Sequence, residues 1–428
     1  MFTARCSRRR LVALPVAAAA AAAAGACSRG ESDPNALTLL AANSPWTEGM
    51  KTLATAYERE TGIAVRVEAY GNEQLNDTFK VKLNARSADF DLMAYQPQDV
   101  IREFTHNGWL ADLTARVGAD AAWNWQDFQA PAREAVTLDG TVYGVPVMTE
   151  RHVVYYRSDL LAAANLPAPR TLEELEATAA ALHDPDGDLY GIAMRGALVP
   201  LVTQFSSFLY SFGGDFQDGD EAALDSPEAI EAYEYYGRLL REYGPPGATN
   251  MGWVEAAAIF AQGKAVFYVD ADSQAYTFLD ESASAVADTV AYARFPAGPA
   301  GSRFYNIVPQ CVGLNAYSTK QDKAWDFLAW ATSEANSKRL LIEETAPPAR
   351  QSAWDDPESA AAYPAALVEI IREAATDSVA YDRPRLEQVA RAREYVGAPA
   401  VTAIEGGDVP DAAREANDEF QELLDYER

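Results

Sequence analysis

From residue 37 onward the chain alternates short apolar runs with segments whose apolar residues recur at helical spacing. This rhythm constrains the fold more than any other feature. Residues 37–41 form an apolar run suited to a buried strand. Met50, Leu53, Ala54 and Tyr57 then mark one face of a helix over 50–61, stopped by Gly62. Ile63, Val65 and Val67 alternate as a strand over 63–69, and 90–95 is a further strand. Strand, helix, strand, helix, strand is the pattern of an α/β domain with a largely parallel sheet.

The rest of the chain continues the alternation. Two β-rich stretches are expected at 141–148 and 152–157. Thr171-Leu172-Glu173-Glu174 reads as a capping box, with the Thr171 hydroxyl satisfying a free amide and Glu174 reaching back. Ser226-Pro227-Glu228 is a second helix start. Strands are expected at 265–270 and 289–295, a turn at 296–301, and helices at 323–331, 333–343 and 411–426. No repeat at a solenoid period is present. The residues therefore predict an α/β protein of two lobes.

The amino terminus predicts export. Arg5, Arg8, Arg9 and Arg10 precede an uncharged run over 11–24 that ends in alanines. That run is short for a membrane span, which needs about 20 apolar residues. A basic head, a short apolar stretch and small residues at its end describe a signal peptide over 1–26. Ser7-Arg8-Arg9-Arg10-Leu11-Val12 is similar to a twin-arginine motif. Ala24-Gly25-Ala26-Cys27 resembles a bacterial lipobox, which implies a lipidated Cys27 and a tether over 27–35. The alternative is an ordinary cut near the same place. Lipidation of Cys27 would leave Cys311 without a disulfide partner, so the fold is expected to rest on core size.

The formal net charge of −28 becomes −32 once the four arginines of the signal are removed. Such an acidic chain is a poor partner for nucleic acid, whose recognition needs Lys and Arg against phosphate. With 49% hydrophobic and 11% aromatic residues in 428, the composition supports packed cores and excludes global disorder.

Recognisable catalytic signatures are missing. His106, His152 and His183 form no zinc-type spacing. There is no Gly-x-Ser-x-Gly elbow, no phosphate-binding loop around Gly263-Lys264 and no dinucleotide fingerprint. Asp184-Pro185-Asp186-Gly187-Asp188 has a misplaced glycine for a calcium loop and reads as an acidic turn. No cofactor or metal is expected, and the chain is expected not to be an enzyme.

A longer pattern carries a resemblance. Asp139-Gly140-Thr141-Val142-Tyr143-Gly144-Val145-Pro146 is followed by Val154-Tyr155-Tyr156-Arg157-Ser158-Asp159-Leu160 and by "AANLPAPRTLEELEATAAAL". Phe212-Gly213-Gly214-Asp215, Phe260-Ala261-Gln262-Gly263-Lys264-Ala265, "PAGPAGS" and "STKQDKAWDFLAWATSEANSKRL" follow in order. Ala349-Arg350-Gln351-Ser352 and Arg383-Pro384-Arg385 close the series. Together they resemble the family 1 extracellular solute-binding proteins, the maltose-binding-protein-like receptors of ABC importers. The resemblance implies a type II periplasmic-binding-protein-like fold, two α/β lobes with a ligand cleft and a multi-segment hinge. It places one lobe at 36–142 and 294–331 and the other at 146–290 and 335–428. The implied partners are a sugar or polyol and the ABC permease subunits in the membrane, with a monomeric receptor anchored outside the cytoplasmic membrane. The alternatives are a surface-anchored glycoside-active enzyme, or a receptor of the same fold for a compatible solute or peptide.

Sugar recognition needs aromatic faces and planar polar groups, and loops after the strands are where α/β sites lie. The resemblance and these positions mark ligand candidates. Trp46, after the first strand, is expected either to stack on a ring or to pack in the lobe. Tyr70 and Asn72 follow the second strand, and Gln96 follows the third. Glu150 precedes Tyr156 at the spacing of a sugar-contacting pair in the family, and Arg195 ends a strand in Met194-Arg195-Gly196. Trp253 is a second stacking or packing candidate. Asp270 and Asp272 follow the strand over 265–269, where the family often has Trp; this departure implies a small, polar ligand. Asn306 and Arg350 complete the set.

Overall fold

The computed structural model describes residues 35–374 and 378–428, apart from the side chains of Pro45, Asn72 and Glu73. The expected signal, Cys27 and nearly all of the tether lie outside the described residues. Strand Ala36–Ala42 pairs parallel with Ala64–Tyr70 on one side and Leu92–Tyr95 on the other. Helix Pro45–Thr61 connects the first two. It begins before residue 50 because the Ser44 hydroxyl caps it, accepting from the Thr47 amide at 3.2 Å. Gly62 ends it at φ 74°, a left-handed geometry that a side chain disfavours.

Two long strands carry the sheet onward. Phe304–Leu314 runs antiparallel to both Leu92–Tyr95 and Val145–Arg157. Val145–Arg157 pairs antiparallel with Ala265–Ala271, which lies parallel to Tyr190–Ala193. Val290–Arg294 also pairs with Val145–Arg157, and the short Ser378–Val379 pairs with Phe304–Leu314. The sheet is thus mixed rather than largely parallel: its outer pairings are parallel and its central ones antiparallel. The stretches expected at 141–148 and 152–157 are joined through one strand, Val145–Arg157, preceded by the short Thr141–Val142.

The cores explain the long strands. One core gathers Leu37, Leu39, Leu40, Phe79, Phe90, Phe104, Val145, Met148, Val312 and Phe327. A second gathers Val154, Leu175, Phe205, Phe208, Tyr236, Phe267, Val396 and Phe420, and a third Tyr155, Tyr268, Phe278 and Trp354. Val145–Arg157 therefore enters at one core and leaves at the others. Phe304–Leu314 does the same, with Phe304 in the second core and Val308, Cys311 and Leu314 in the first. Phe295 also packs in the second core, although the sequence reading assigned 294–331 to the first lobe. Conversely, Leu340, Ala346 and Ala349 pack in the first core, within the span 335–428 assigned to the other lobe. Register between the crossing strands shifts between Ile307 and Cys311, around Pro309, which has no amide to pair.

Local signals hold where chemistry dictates them. The Glu174 amide donates to Thr171 Oγ1 at 3.1 Å, and Glu174 Oε2 reaches back to the Arg170 amide at 2.7 Å, one residue before the cap. Ser226 caps helix Pro227–Tyr243 by accepting from the Ala229 amide at 3.2 Å. In the acidic turn, Asp184 Oδ1 accepts from the Gly187 amide and Asp188 pairs with Lys264.

Candidate functional site: a cleft between the cores

A cavity of ≈450 Å³ opens where the two crossing strands leave the first core. Its walls come from both sides: Ser44, Gln96 and Asp99 from the first, Arg195, Thr203, Trp253, Ser273, Tyr276, Arg383 and Arg393 from the second, with Met148, Glu150 and Gln310 from the crossing strands. This volume lies within the ~300–1,000 Å³ of small-molecule sites.

Glu150 stands on the floor. Its neighbour in sequence, Arg151, points elsewhere: Arg151 Nε donates to Asp272 Oδ2 at 2.7 Å and its amide to Asp272 Oδ1 at 3.0 Å, both side chains fully buried. Asp272 carries a raised pKa, because burial outweighs the Arg151 charge. Thus Arg151 is taken by Asp272, and Glu150 is left with the Ser273 hydroxyl, which donates to Oε2 at 2.7 Å. Burial pushes the Glu150 carboxyl up to about 7, against the opposing pull of Ser273 and Arg195, with Asp270 and Asp272 adding to the rise.

Arg195 is held from behind. Its Nε donates to Asp270 Oδ2 at 3.0 Å and its Nη2 to Oδ1 at 2.5 Å. Gln204 Nε2 and the Tyr268 hydroxyl also donate to Asp270 Oδ2, at 2.6 and 2.9 Å. The Arg195 backbone is fixed too: its amide donates to Gln204 Oε1 and its carbonyl accepts from the Tyr236 hydroxyl. Burial opposes the Arg195 charge, but Asp270 overrides it and keeps the pKa above its ordinary value. The bidentate pair fixes the guanidinium plane at the cavity wall.

Other walls supply apolar faces and open hydrogen-bonding groups. Trp253, the first residue of helix Trp253–Ala261, is 38% exposed beside the cavity. Gln310 Oε1 accepts from the Ser44 hydroxyl at 3.3 Å while its Nε2 is buried without a partner, and Gln274 Oε1 is likewise unpaired. Both glutamines line the cavity. Arg393, whose Nη2 donates to the Val199 carbonyl at 2.8 Å, is lowered to about 10 by burial and by the neighbouring Arg383 charge.

Of the residues singled out by sequence, Gln96, Glu150, Arg195 and Trp253 meet at this cavity. Asp270 and Asp272 lie behind it as holders of arginines. Asn306 is buried opposite Arg151 in the strand register, with Oδ1 unpaired, and does not line the cavity. Tyr70 is also off the cavity, its hydroxyl bonded to Glu68 at 2.8 Å. Asn72 begins helix Asn72–Asn84, and its side chain lies outside the described residues.

Of the two roles open to Trp46, packing is the one found: it is 2% exposed and packs in the first core, because Ser44 starts the helix at once and turns the indole inward. One expectation is corrected. Arg350 is 1% exposed, lies over the rings of Phe128 and Trp123, and donates to the Thr332 and Trp123 carbonyls and to Asp127. It pins a loop rather than a ligand. The wall residues that sequence reasoning missed include Ser44, Asp99, Met148, Thr203, Ser273, Tyr276, Gln310 and Arg393. Ser273 follows Asp272 and was within reach of that motif. Thr203, Gln310 and Arg393 sit inside helices or strands, where nothing in the spacing separates a cavity-facing residue from a packed one.

Among the described residues, no cluster of three or more His, Cys, Asp or Glu side chains offers a metal site.

Comparison with known proteins gives the family and the fold. Residues 43–338 match the family model for bacterial extracellular solute-binding protein. The chain is 27% identical over 378 residues to a mannitol-binding protein of Pseudomonas aeruginosa, covering 86% of this chain and 84% of that protein. It is 25% identical over 348 residues to an erythritol/L-threitol-binding protein of Mycolicibacterium smegmatis, covering 74% and 71%. An ABC transporter solute-binding protein from Agrobacterium radiobacter K84, solved in complex with ribitol, superposes with a TM-score of 0.82 at 26% identity, over 91% of this chain and 98% of that one. One from Agrobacterium vitis S4 with bound D-mannitol gives 0.77 at 25%, over 91% and 98%. The type II periplasmic-binding-protein fold, with two α/β lobes and a cleft between them, is thereby established, and the chain belongs to the bacterial extracellular solute-binding proteins.

Proposed function

We propose that this protein captures a sugar or polyol outside the cytoplasm and presents it to the permease of an ABC importer. The observation that carries the reading is the composition of the cleft wall: Gln96, Glu150, Arg195 and Gln310 beside the exposed face of Trp253. Carboxyl, amide and guanidinium groups bond hydroxyls, and an indole covers the apolar side of a carbon chain or ring. Arg195 Nε and Nη2 are taken by Asp270, which leaves Nη1 for a ligand oxygen. Relatives named for mannitol and erythritol, and a neighbour holding ribitol, support a small polyhydroxylated ligand.

The mechanism is closure. A ligand touching both walls favours the conformation in which the lobes approach, through its differential affinity for that state. The lobes divide at the strands Val145–Arg157 and Phe304–Leu314 and near residues 340–350, where neighbouring residues belong to different cores. The receptor acts as a monomer, anchored at the outer face of the membrane through a lipidated Cys27. Its role is binding rather than turnover: glycoside hydrolysis uses a pair of carboxyl groups, and of the two that line the cavity among the described residues, Asp99 and Glu150, Asp99 is engaged by Arg383.

A thermal-shift screen against pentitols, hexitols, mono-, di- and trisaccharides tests the reading, since a ligand that binds only the folded state raises its stability by mass action. At least one polyol or sugar should raise the unfolding midpoint in a concentration-dependent way. A protein indifferent to the whole panel, or one that hydrolyses a glycoside in it, would reject the proposal.

A further inference from the structure

The groove between the two sides continues past the cavity just described. A second space of ≈150 Å³ follows, and then a third of ≈490 Å³. Asp99 and Arg383 line both the first and the second space. Arg102, Arg385 and Leu386 line both the second and the third. One ion pair therefore stands where the ligand cavity would open into the outer groove.

The pair joins the two sides. Asp99 lies in the first turn of helix Pro97–His106, which buries Val100, Ile101 and Phe104 in the first core. Arg383 precedes Leu386, which belongs to the second core. Arg383 is fixed before it reaches across: Nε donates to Asp382 Oδ1 at 2.8 Å, and Nη2 donates to Asp382 Oδ2 at 2.5 Å and to Thr203 Oγ1 at 3.1 Å. Its remaining nitrogen, Nη1, donates to Asp99 Oδ1. Arg393 Nη1 stands 3.8 Å from the same oxygen, and Arg393 Nε is buried without a partner. Among the described residues, Asp99 is thus the carboxylate that crosses the gap to meet a preset pair of guanidinium groups.

We infer that the Asp99–Arg383 bar sets the length of ligand that the cleft accepts. It ends the compartment, so that a polyol or monosaccharide fits and a longer saccharide running into the outer groove is refused. The inference rests on the proposed sugar or polyol function. A ligand crossing the bar has to separate the pair, taking from Asp99 its guanidinium partner and from Arg393 its nearby carboxylate, while Arg383 keeps Asp382 and Thr203; this is costly for groups shielded from water. The chemistry of the outer groove is no obstacle by itself, since Arg102, Arg385 and the His106–Glu387 pair would suit hydroxyl groups. What stands in the way is the bar.

Removing Asp99 leaves Arg383 still held by Asp382 and Thr203, so the substitution takes away the contacts across the gap, to Arg383 and Arg393, without freeing Arg383. Calorimetric titration of D-mannitol and maltotriose into wild type, Asp99→Ala and Asp99→Glu tests this, with the unfolding midpoint of each recorded. Wild type is expected to bind D-mannitol and to refuse maltotriose. Asp99→Ala should raise the maltotriose-to-mannitol affinity ratio by about tenfold or more, the scale on which a pocket's shape discriminates. Asp99→Glu should restore the wild-type ratio. An unchanged ratio in a folded Asp99→Ala, equal losses for both ligands, or wild-type binding of maltotriose as tight as that of mannitol would overturn the inference and leave the receptor reading standing. Wild type that binds neither of these, nor any other sugar or polyol, sinks the receptor reading and the inference with it.

Discussion

Glu150 shows how one neighbour decides what a residue can do. In sequence it is followed by a cation, and an ion pair between the two would have removed it from ligand contact. The fold gives Arg151 to Asp272 instead, so Glu150 keeps a hydroxyl partner and a pKa raised by burial to about 7. A carboxyl raised in the folded state favours folding below its unfolded pKa and loses that contribution as pH rises through the folded value. Wild type should therefore lose stability between about pH 4.5 and 7 relative to Glu150→Gln, which does not titrate there. Denaturant unfolding of both proteins across that range checks the sign; parallel profiles would refute it. Arg195 behaves differently. Truncation to Met leaves Asp270 buried without its cation and should cost about 3–5 kcal/mol of stability, measured by urea unfolding. Both residues were legible in sequence because they end or occupy strands in recognisable motifs. Trp46 stays open in sequence and Arg350 misleads because exposure is not written in residue type: a helix starting at Ser44 buries the indole, and a cage of carbonyls and rings takes the guanidinium.

At the scale of elements, local chemistry was the reliable guide. Ser226 and Thr171 cap helices as their sequences demand. Ser226→Ala should lower stability by about 0.5–2 kcal/mol, read by urea unfolding, with ligand affinity unchanged because the cap is remote from the cavity. A loss below that range would mean that Pro227–Tyr243 is held mainly by its buried tyrosines rather than by its cap. Strand continuity was less legible. Glu150-Arg151 interrupts the apolar run and reads as a break between two strands. The strand passes through because the buried Arg151–Asp272 pair compensates the charge that would otherwise have forced an end. The mixed direction of the sheet was hidden for a related reason. A strand's polarity depends on which lobe its far end enters, and that information lies in long-range packing.

At the scale of the molecule, two lobes, with three cores between them, are joined by shared strands, and the proposed closure rests on that joint. The α/β class and the paired lobes were legible because periodicity and collinear motifs extend over most of the chain. The cavity itself was legible only in part, since it is assembled from residues as distant as Ser44 and Arg393 that meet only once the lobes exist. A ligand recognised there should stabilise the whole molecule, by about 2.7 kcal/mol at a concentration one hundred times its Kd. Calorimetric titration of a pentitol and hexitol series into wild type and Glu150→Ala is the most direct test of the cleft as the binding site. The account predicts one ligand per chain in wild type and an affinity loss of about 1–3 kcal/mol in the variant, the cost of unpairing a buried polar contact. Undiminished affinity in a folded Glu150→Ala, or no binding of any member of the series by wild type, would contradict it.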